Sequence, residues 1–441
     1  MCHTVSSLEP LEARIAPAAL LPGGKVATFT DIDGDLVTVK FSKPILTAGN
    51  VGTIFAFTGS MFSSTGPQKL ASLNLANLGA AANGVDITIS AKRSATTGGN
   101  GFVDLVSINA SDLNPGTGTG SGIDLGKVIV KGNIDSIDAG DANLDTPALK
   151  SADLLTLGAV SPGTTSTIYG KAGTFKVRGT LLGNLVVNAF NPTSAVQETL
   201  ASLIVGGSIG AGFDAALGGH VEVFGNLLSA RVAHDLHGGT YPATGYLKVY
   251  GDLGKITVGG SVTGGTSLNT GVIDVVGRLG SCTIRGDVAG DNGIGSGYIK
   301  AGSIGNLVIG GDLRGYRESG LGAQSGNATI VAQQTIDSVT IGGSLIAGNI
   351  IAGITDGGDN LYGNANDADM SGAVVSKIGK VIIKGNVQGS SNGGDAFGIE
   401  ANQIGMVKVG AVTYRPTDPL LSFSTGISLT PSTADVKLRT L

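Results

Sequence analysis

The chain has 441 residues, of which 74 are Gly and 14% are charged, and its net charge is −5. Gly at about twice its usual share excludes a protein of long amphipathic helices, since each Gly inside a helix costs roughly 1 kcal/mol. A chain that is 41% apolar does not have the composition of a disordered one, its mild acidity offers no basic face for nucleic acid, and it contains no run of about eighteen apolar residues that could cross a membrane as a helix.

In chain order, residues 1–25 come first, and their short apolar run, Ala16–Leu21, is broken by Pro17, so an ordinary secretory signal peptide is not supported. The segment Leu8-Glu9-Pro10-Leu11-Glu12-Ala13-Arg14-Ile15-Ala16-Pro17-Ala18 resembles the LEPR-type N-terminal motif of large exported bacterial proteins. That resemblance implies a disordered arm carrying an export or sorting signal; the alternative is a plain N-terminal arm. Residues 26–113 hold alternating apolar and polar segments at Lys25–Thr30, Leu36–Phe41, Ile54–Phe57, Val85–Ala91 and Phe102–Ile108. Joined by Gly-, Asn- and Ser-rich turns, they predict antiparallel hairpins in a small β-sandwich-like capping domain. The Gly-rich stretch Asn114–Gly122 reads as a linker.

From 122 to 413 a twelve-residue phrase recurs, clearest as LGKITVGGSVTG from Leu253, LGSCTIRGDVAG from Leu279, IGNLVIGGDLRG from Ile304 and IGKVIIKGNVQG from Ile378. Weaker copies start at Leu125, Ala152, Ala172, Leu200, Leu227, Ile336 and Ile404, making eleven, most of them about 26 residues apart. The fourth and sixth columns are apolar in every copy while the fifth is often polar, which is the pattern of a strand buried on one face. The eighth column is Gly in eight copies and the ninth Ser, Thr, Asp or Asn in nine, which reads as a turn using backbone angles that other residues avoid. Further short strands precede the phrase at Val221–Gly225, Leu247–Gly251 and Ile273–Gly277. A unit this thin cannot bury its own apolar face, so the copies must stack. The expected fold is all-β: a parallel β-helix of about eleven coils, right-handed by the crossover rule, with the N-terminal cap and a C-terminal cap or tail at 414–441. The repeats resemble the Gly-rich β-helical passengers and filaments of bacterial exoproteins.

Candidate chemistry is sparse. Asp31, Asp33 and Asp35 alternate in sequence and could hold calcium through oxygen ligands, or could simply flank a hairpin turn at Asp33-Gly34. The segment Gly357–Asp367 resembles a single turn of the Gly-Asp calcium repeats of exported toxins, which makes Asp356, Asp359, Asp367 and Asp369 a second calcium candidate beside the reading as a solvated loop. His220, His234 and His237 fall in one coil and are a weaker zinc or nickel candidate. Cys282 occupies an inward column and reads as a small core residue. No coil offers two acidic residues on one outward strand, Tyr is scattered along the chain and Trp is absent. Neither the paired carboxylates of glycoside hydrolysis nor a sugar-stacking cleft is therefore expected, and no catalytic or cofactor-binding residue is assigned.

The expectation is a non-enzymatic, exported structural or adhesive protein at the cell surface or in the extracellular matrix. Its partners would be further copies of itself or a surface polysaccharide or protein, with no nucleic acid and no transmembrane segment. The rivals are a polysaccharide lyase or hydrolase and a calcium-dependent binding module.

Overall fold

The computed structural model describes residues 19–441 apart from 59–66, 94–97, 115–118, 144, 188–197, 211–217, 317–327, 360, 371–374, 391–394, 416–425 and 431–434. Residues 1–18 with the whole of the export-type motif, and part of the Gly-rich linker, lie outside the described residues.

The repeat winds into a parallel β-helix with three faces. On the first face, Val128, Ala152, Phe175, Leu203, Ala230, Ile256, Cys282, Leu307, Val339, Val381 and Val407 are paired one after another in parallel register. All of them are buried. The second face is a short row that includes Leu236, Val262, Val288, Leu313, Leu345 and Val387. The third face is formed by Thr165–Ile168, Asn184–Val187, His220–Val223, Tyr246–Val249, the start of Val272–Ile284, the start of Tyr298–Ile309, Thr329–Ala332, Asn349–Ala352, Phe397–Ala401 and Val436–Thr440. The inward rows of all three faces belong to one apolar core that runs from Ala27 to Leu438. At a rung spacing of roughly 4.8 Å, the stack on the first face is about 50 Å long.

Three sequence expectations need correction. The second copy starts at Leu149 rather than Ala152, because Leu125 pairs with Leu149 and Val128 with Ala152. A register shift after Val130 then brings Leu157 opposite Ile134, so an extra residue absorbs the misfit and both side chains stay buried.

The region 26–113 does not enclose a core of its own. The hairpin Val26–Thr30/Leu36–Phe41 is antiparallel as expected, but Leu36–Phe41 also pairs with Val85–Lys92. That strand stacks in parallel on Leu125–Val130, and Val103–Asn109 stacks in parallel on the later part of the same rung. Residues 85–109 are thus an additional coil, and the hairpins cover its open end. At the other end Val412–Tyr414 folds back on Gln403–Val409, while Val436–Thr440 adds a parallel rung and is itself crossed by Ile427–Ser428. Antiparallel segments at both ends occupy edges that would otherwise invite another chain.

The eighth-column glycines are needed for space and not for backbone angle. None of Gly207, Gly260, Gly286, Gly311, Gly343 and Gly385 has positive φ. A Cβ at Gly207 would come within 2.6 Å of Thr180 Oγ1, one at Gly385 within 2.5 Å of Ser344 Oγ, and one at Gly311 would overlap Asp287 Oδ1. The Asp287 and Ser344 oxygens belong to a polar ladder formed by the ninth column. The backbone N–H groups of Asp235, Ser261, Asp287, Asp312, Ser344 and Asn386 donate to the side chains of Ser208, Asp235, Ser261, Asp287, Asp312 and Ser344, over 2.6–3.2 Å. Each coil therefore bonds to the next through a side chain that fills the place of a missing Cβ.

Candidate ligand-binding groove

The outward side of the third face carries the most organised surface chemistry. Glu222, Lys248, Asp274 and Lys300 are direct partners on four successive rungs, so their charges alternate along the rod. Lys248 Nζ lies 3.7 Å from Asp274 Oδ2 and 4.8 Å from the centre of the Tyr250 ring. The hydroxyl of Tyr246 donates to Asp274 at 2.9 Å and that of Tyr250 to Glu222 at 2.7 Å. Phe224 and Tyr250 stack with centroids 4.3 Å apart, and the edge of His220 meets Tyr246 at 5.0 Å. Burial pushes the Tyr298 hydroxyl up to about 12 and raises Tyr246 and Tyr362 as well, so these phenols keep their protons at neutral pH.

Beyond Lys300 the row continues as Val331, Ile351, Glu400 and Arg439. Two of these are apolar, and the segment 353–370 folds across them. It is pinned by a two-residue antiparallel pairing of Ile354–Thr355 with Ala368–Asp369. Tyr362 packs with Val331, Ile351 and Ile354 into a second small core, against which Tyr298 also rests. Tyr246, Tyr298 and Tyr362 then border a groove of about 370 Å³ together with Lys248, Asp274, Lys300 and Asp356 on its polar side and Val272 and Ile294 on its apolar side. Tyrosines scattered in sequence thus gather at one groove, although Tyr246 and Tyr362 are largely buried there. Tyr246 and Tyr298 stand two periods apart and could have been found from the repeat, but Tyr362 arrives on an insertion whose path follows no column.

Under the insertion lies a buried charge cluster that sequence reasoning missed. Arg439 reaches Asp367 Oδ2 at 3.1 Å and Glu400 Oε1 at 2.9 Å, and it also donates to the carbonyl of Asn364. The Arg439–Glu400 contact is close but not aligned as a hydrogen bond, since neither Arg439 Nε nor Glu400 Oε1 has a hydrogen-bond partner. Asp367 accepts from the N–H groups of Gly363 and Asn364 at 2.8 and 2.9 Å. Desolvation, with Asp367 alongside, raises Glu400 to about 8, so it holds a proton at neutral pH. Because this pKa lies above the ordinary value of 4.5, Glu400's contribution to stability is fully present below pH 4.5 and is lost as pH rises through 8. Amide exchange in 353–370, corrected for its intrinsic pH dependence, is expected to quicken between about pH 4.5 and 8 relative to a Glu400→Gln variant. Equal pH profiles for the two proteins would count against the assignment.

The carboxylates of the second calcium candidate, all among the described residues, are not gathered into one ligand set. Asp367 is committed to Arg439, Asp359 caps Leu361 N–H and Asn364 at 2.9 and 2.8 Å, Asp369 holds Asn402, and Asp356 accepts from Gly358 N–H at 3.1 Å. Among the described residues, the one acidic set with ligand atoms within reach of a single cation is Asp31, Asp33 and Asp35, whose atoms lie within 4.8 Å of one another. One oxygen of each is used within the fold: Asp31 accepts from Asp35 N–H at 2.7 Å, Asp33 from Asn100 N–H at 3.1 Å and Asp35 from Gly101 N–H at 2.5 Å, while Asp33 Oδ1 is buried with no hydrogen-bond partner. Desolvation and a hydrogen bond to Asp33 push Asp31 up to about 7, so a proton joins these carboxyls near neutrality. A carboxyl-carbon NMR titration in calcium-free buffer is expected to place the Asp31 midpoint near 7; a midpoint near 4 would refute the shared proton.

The histidines do not form a metal set among the described residues. His220 is held below its ordinary pKa, mainly by burial. Cys282 sits between Ile256 and Leu307 in the core, and burial pushes its thiol up to about 12. It is unreactive by placement.

Compared with protein-family models, curated proteins and solved structures, the chain matches none of them. Among the described residues no helix is long and apolar enough to cross a membrane.

Proposed function

We propose that the protein is an exported structural or adhesive rod, placed at the cell surface or in the extracellular matrix, that binds a partner through the groove on its third face. The observation that carries this reading is the groove itself, a tyrosine-bordered cleft on a continuous stack of rungs. Its position on regular strands, with neighbouring side chains locked by cross-rung bonds, suits recognition by a preformed surface. Its carboxylates favour binding over turnover. Asp274 is already engaged by Tyr246 and Lys248 and Asp356 by the N–H of Gly358, which leaves no unengaged acid and base pair in the groove among the described residues. The covered ends support a rod of defined length, so self-association would proceed through side faces.

The experiment is fractionation of the source cells with antibody detection. The native protein is expected in the extracellular or surface fraction, released without detergent. Confinement to the cytosol would end the adhesive reading.

A further inference from the structure

We propose that the groove on the third face binds an extended, uncharged polysaccharide chain lying along the rod. This rests on the reading of the protein as a binding rod and names the ligand for it.

Charge argues for a neutral ligand. Lys248 and Lys300 line the groove together with Asp274 and Asp356, two cations and two anions. A polyanion or polycation would gain attraction from half of these groups and lose it to the other half. What remains are directional donors and acceptors, including the Lys300 ammonium, which is exposed and has no ion-pair partner among the described residues. Sugar hydroxyls can both donate to carboxylates and accept from ammonium groups, so they can satisfy a mixed row of this kind.

Shape argues for a sugar chain. One wall is apolar: Val272 lies beside Ile294, which is 65% exposed on a turn tied to the neighbouring one by the bond from Asn269 N–H to the Ile294 carbonyl at 2.9 Å. The other wall is the alternating charged row. A pyranose ring has the matching division, with an apolar C–H face and a polar rim. The rungs repeat at roughly 4.8 Å, close to the residue repeat of an extended hexose chain, so successive sugars can meet successive rungs and alternate sugars can meet like charges. A peptide is a poorer fit. Strand addition needs an open sheet edge, and the backbone groups of these rungs are spent on their neighbours above and below.

The test is calorimetric titration of the full chain with neutral hexose and pentose oligosaccharides, uronic-acid oligosaccharides and a mixed peptide library, each at about 50 and about 500 mM salt. At least one neutral oligosaccharide is expected to bind, with affinity changing less than about twofold between the two salt levels, because no net charge is neutralised. The surface variant Ile294→Ser/Lys300→Gln is expected to weaken that binding at least about tenfold, roughly 1.4 kcal/mol, with an unchanged melting temperature. Binding confined to uronic-acid chains and lost at high salt would overturn the neutral class. So would capture of peptides alone, or neutral binding that the double variant leaves intact. Failure of every glycan to bind would overturn this proposal, whereas the adhesive reading is decided separately by fractionation.

Discussion

Gly311→Val is expected to cost about 3–5 kcal/mol and to lower the urea midpoint sharply. A Cβ at that position would overlap Asp287 Oδ1, which accepts the N–H of Asp312 at 2.8 Å. The larger side chain must push the carboxylate out of the ladder or part the two coils. The first outcome leaves a backbone N–H unsatisfied, at about 1–3 kcal/mol. The second loosens packing on either side of the rung, and in a stacked repeat that damage spreads to nearest neighbours. The comparison that isolates the cause is Gly84→Ala. Gly84 has φ of +72° with nothing within 4 Å of its absent Cβ, so only backbone strain of about 1–2 kcal/mol applies there. Chemical denaturation of the two variants separates space from conformation. Equal losses would show that the ladder is not what demands the glycine.

Arg439→Met is the second large effect. The substitution keeps most of the apolar stem but removes the cation from beside Asp367 and Glu400, both buried. Breaking a buried pair by removing one partner costs about 3–5 kcal/mol, because the surviving charge stays desolvated. The loss should be local. Residues 353–370 are held to the C-terminal strand through Arg439, so their amide protection is expected to fall while that of the central rungs near Ile256 is unchanged. Tyr362 would lose its support and the groove its far wall. Adding Asp367→Asn to the same chain should restore part of the protection, since a neutral amide tolerates the apolar neighbour. If both variants kept wild-type exchange in 353–370, the latch assignment would be wrong.

The first-face rows were readable from sequence because strict alternation and a nearly constant period leave one way to bury Val, Ile and Leu. Ile256, Cys282 and Leu307 stack as that pattern requires. The phase of the second copy was misread because Leu155 and Leu157 mimic the columns, and the register shift that corrects it leaves no mark in composition. The coil at 85–109 escaped notice because its second strand follows a ten-residue departure, 93–102, instead of a Gly-polar turn. The eighth-column glycines were read for the wrong reason, since a sequence shows which residue is absent but not what occupies its space. The groove was half legible. Glu222, Lys248 and Asp274 stand at the centres of strands already marked by their spacing, and only the insertion bearing Tyr362 required coordinates. The Arg439 cluster joins residues from three segments far apart in the chain, and no local pattern announces such a meeting.

The outward charges on the third face have a different period from the interior beneath them. Inward residues repeat with every coil, but Glu222, Lys248, Asp274 and Lys300 repeat with every two. Duplicating the coil 253–278 alone would set two Asp274 copies side by side, whereas duplicating 227–278 would keep opposite signs adjacent throughout. Growth or shrinkage of such a rod by gene duplication is therefore favoured in even steps around this face, although its hydrophobic centre would accept odd ones.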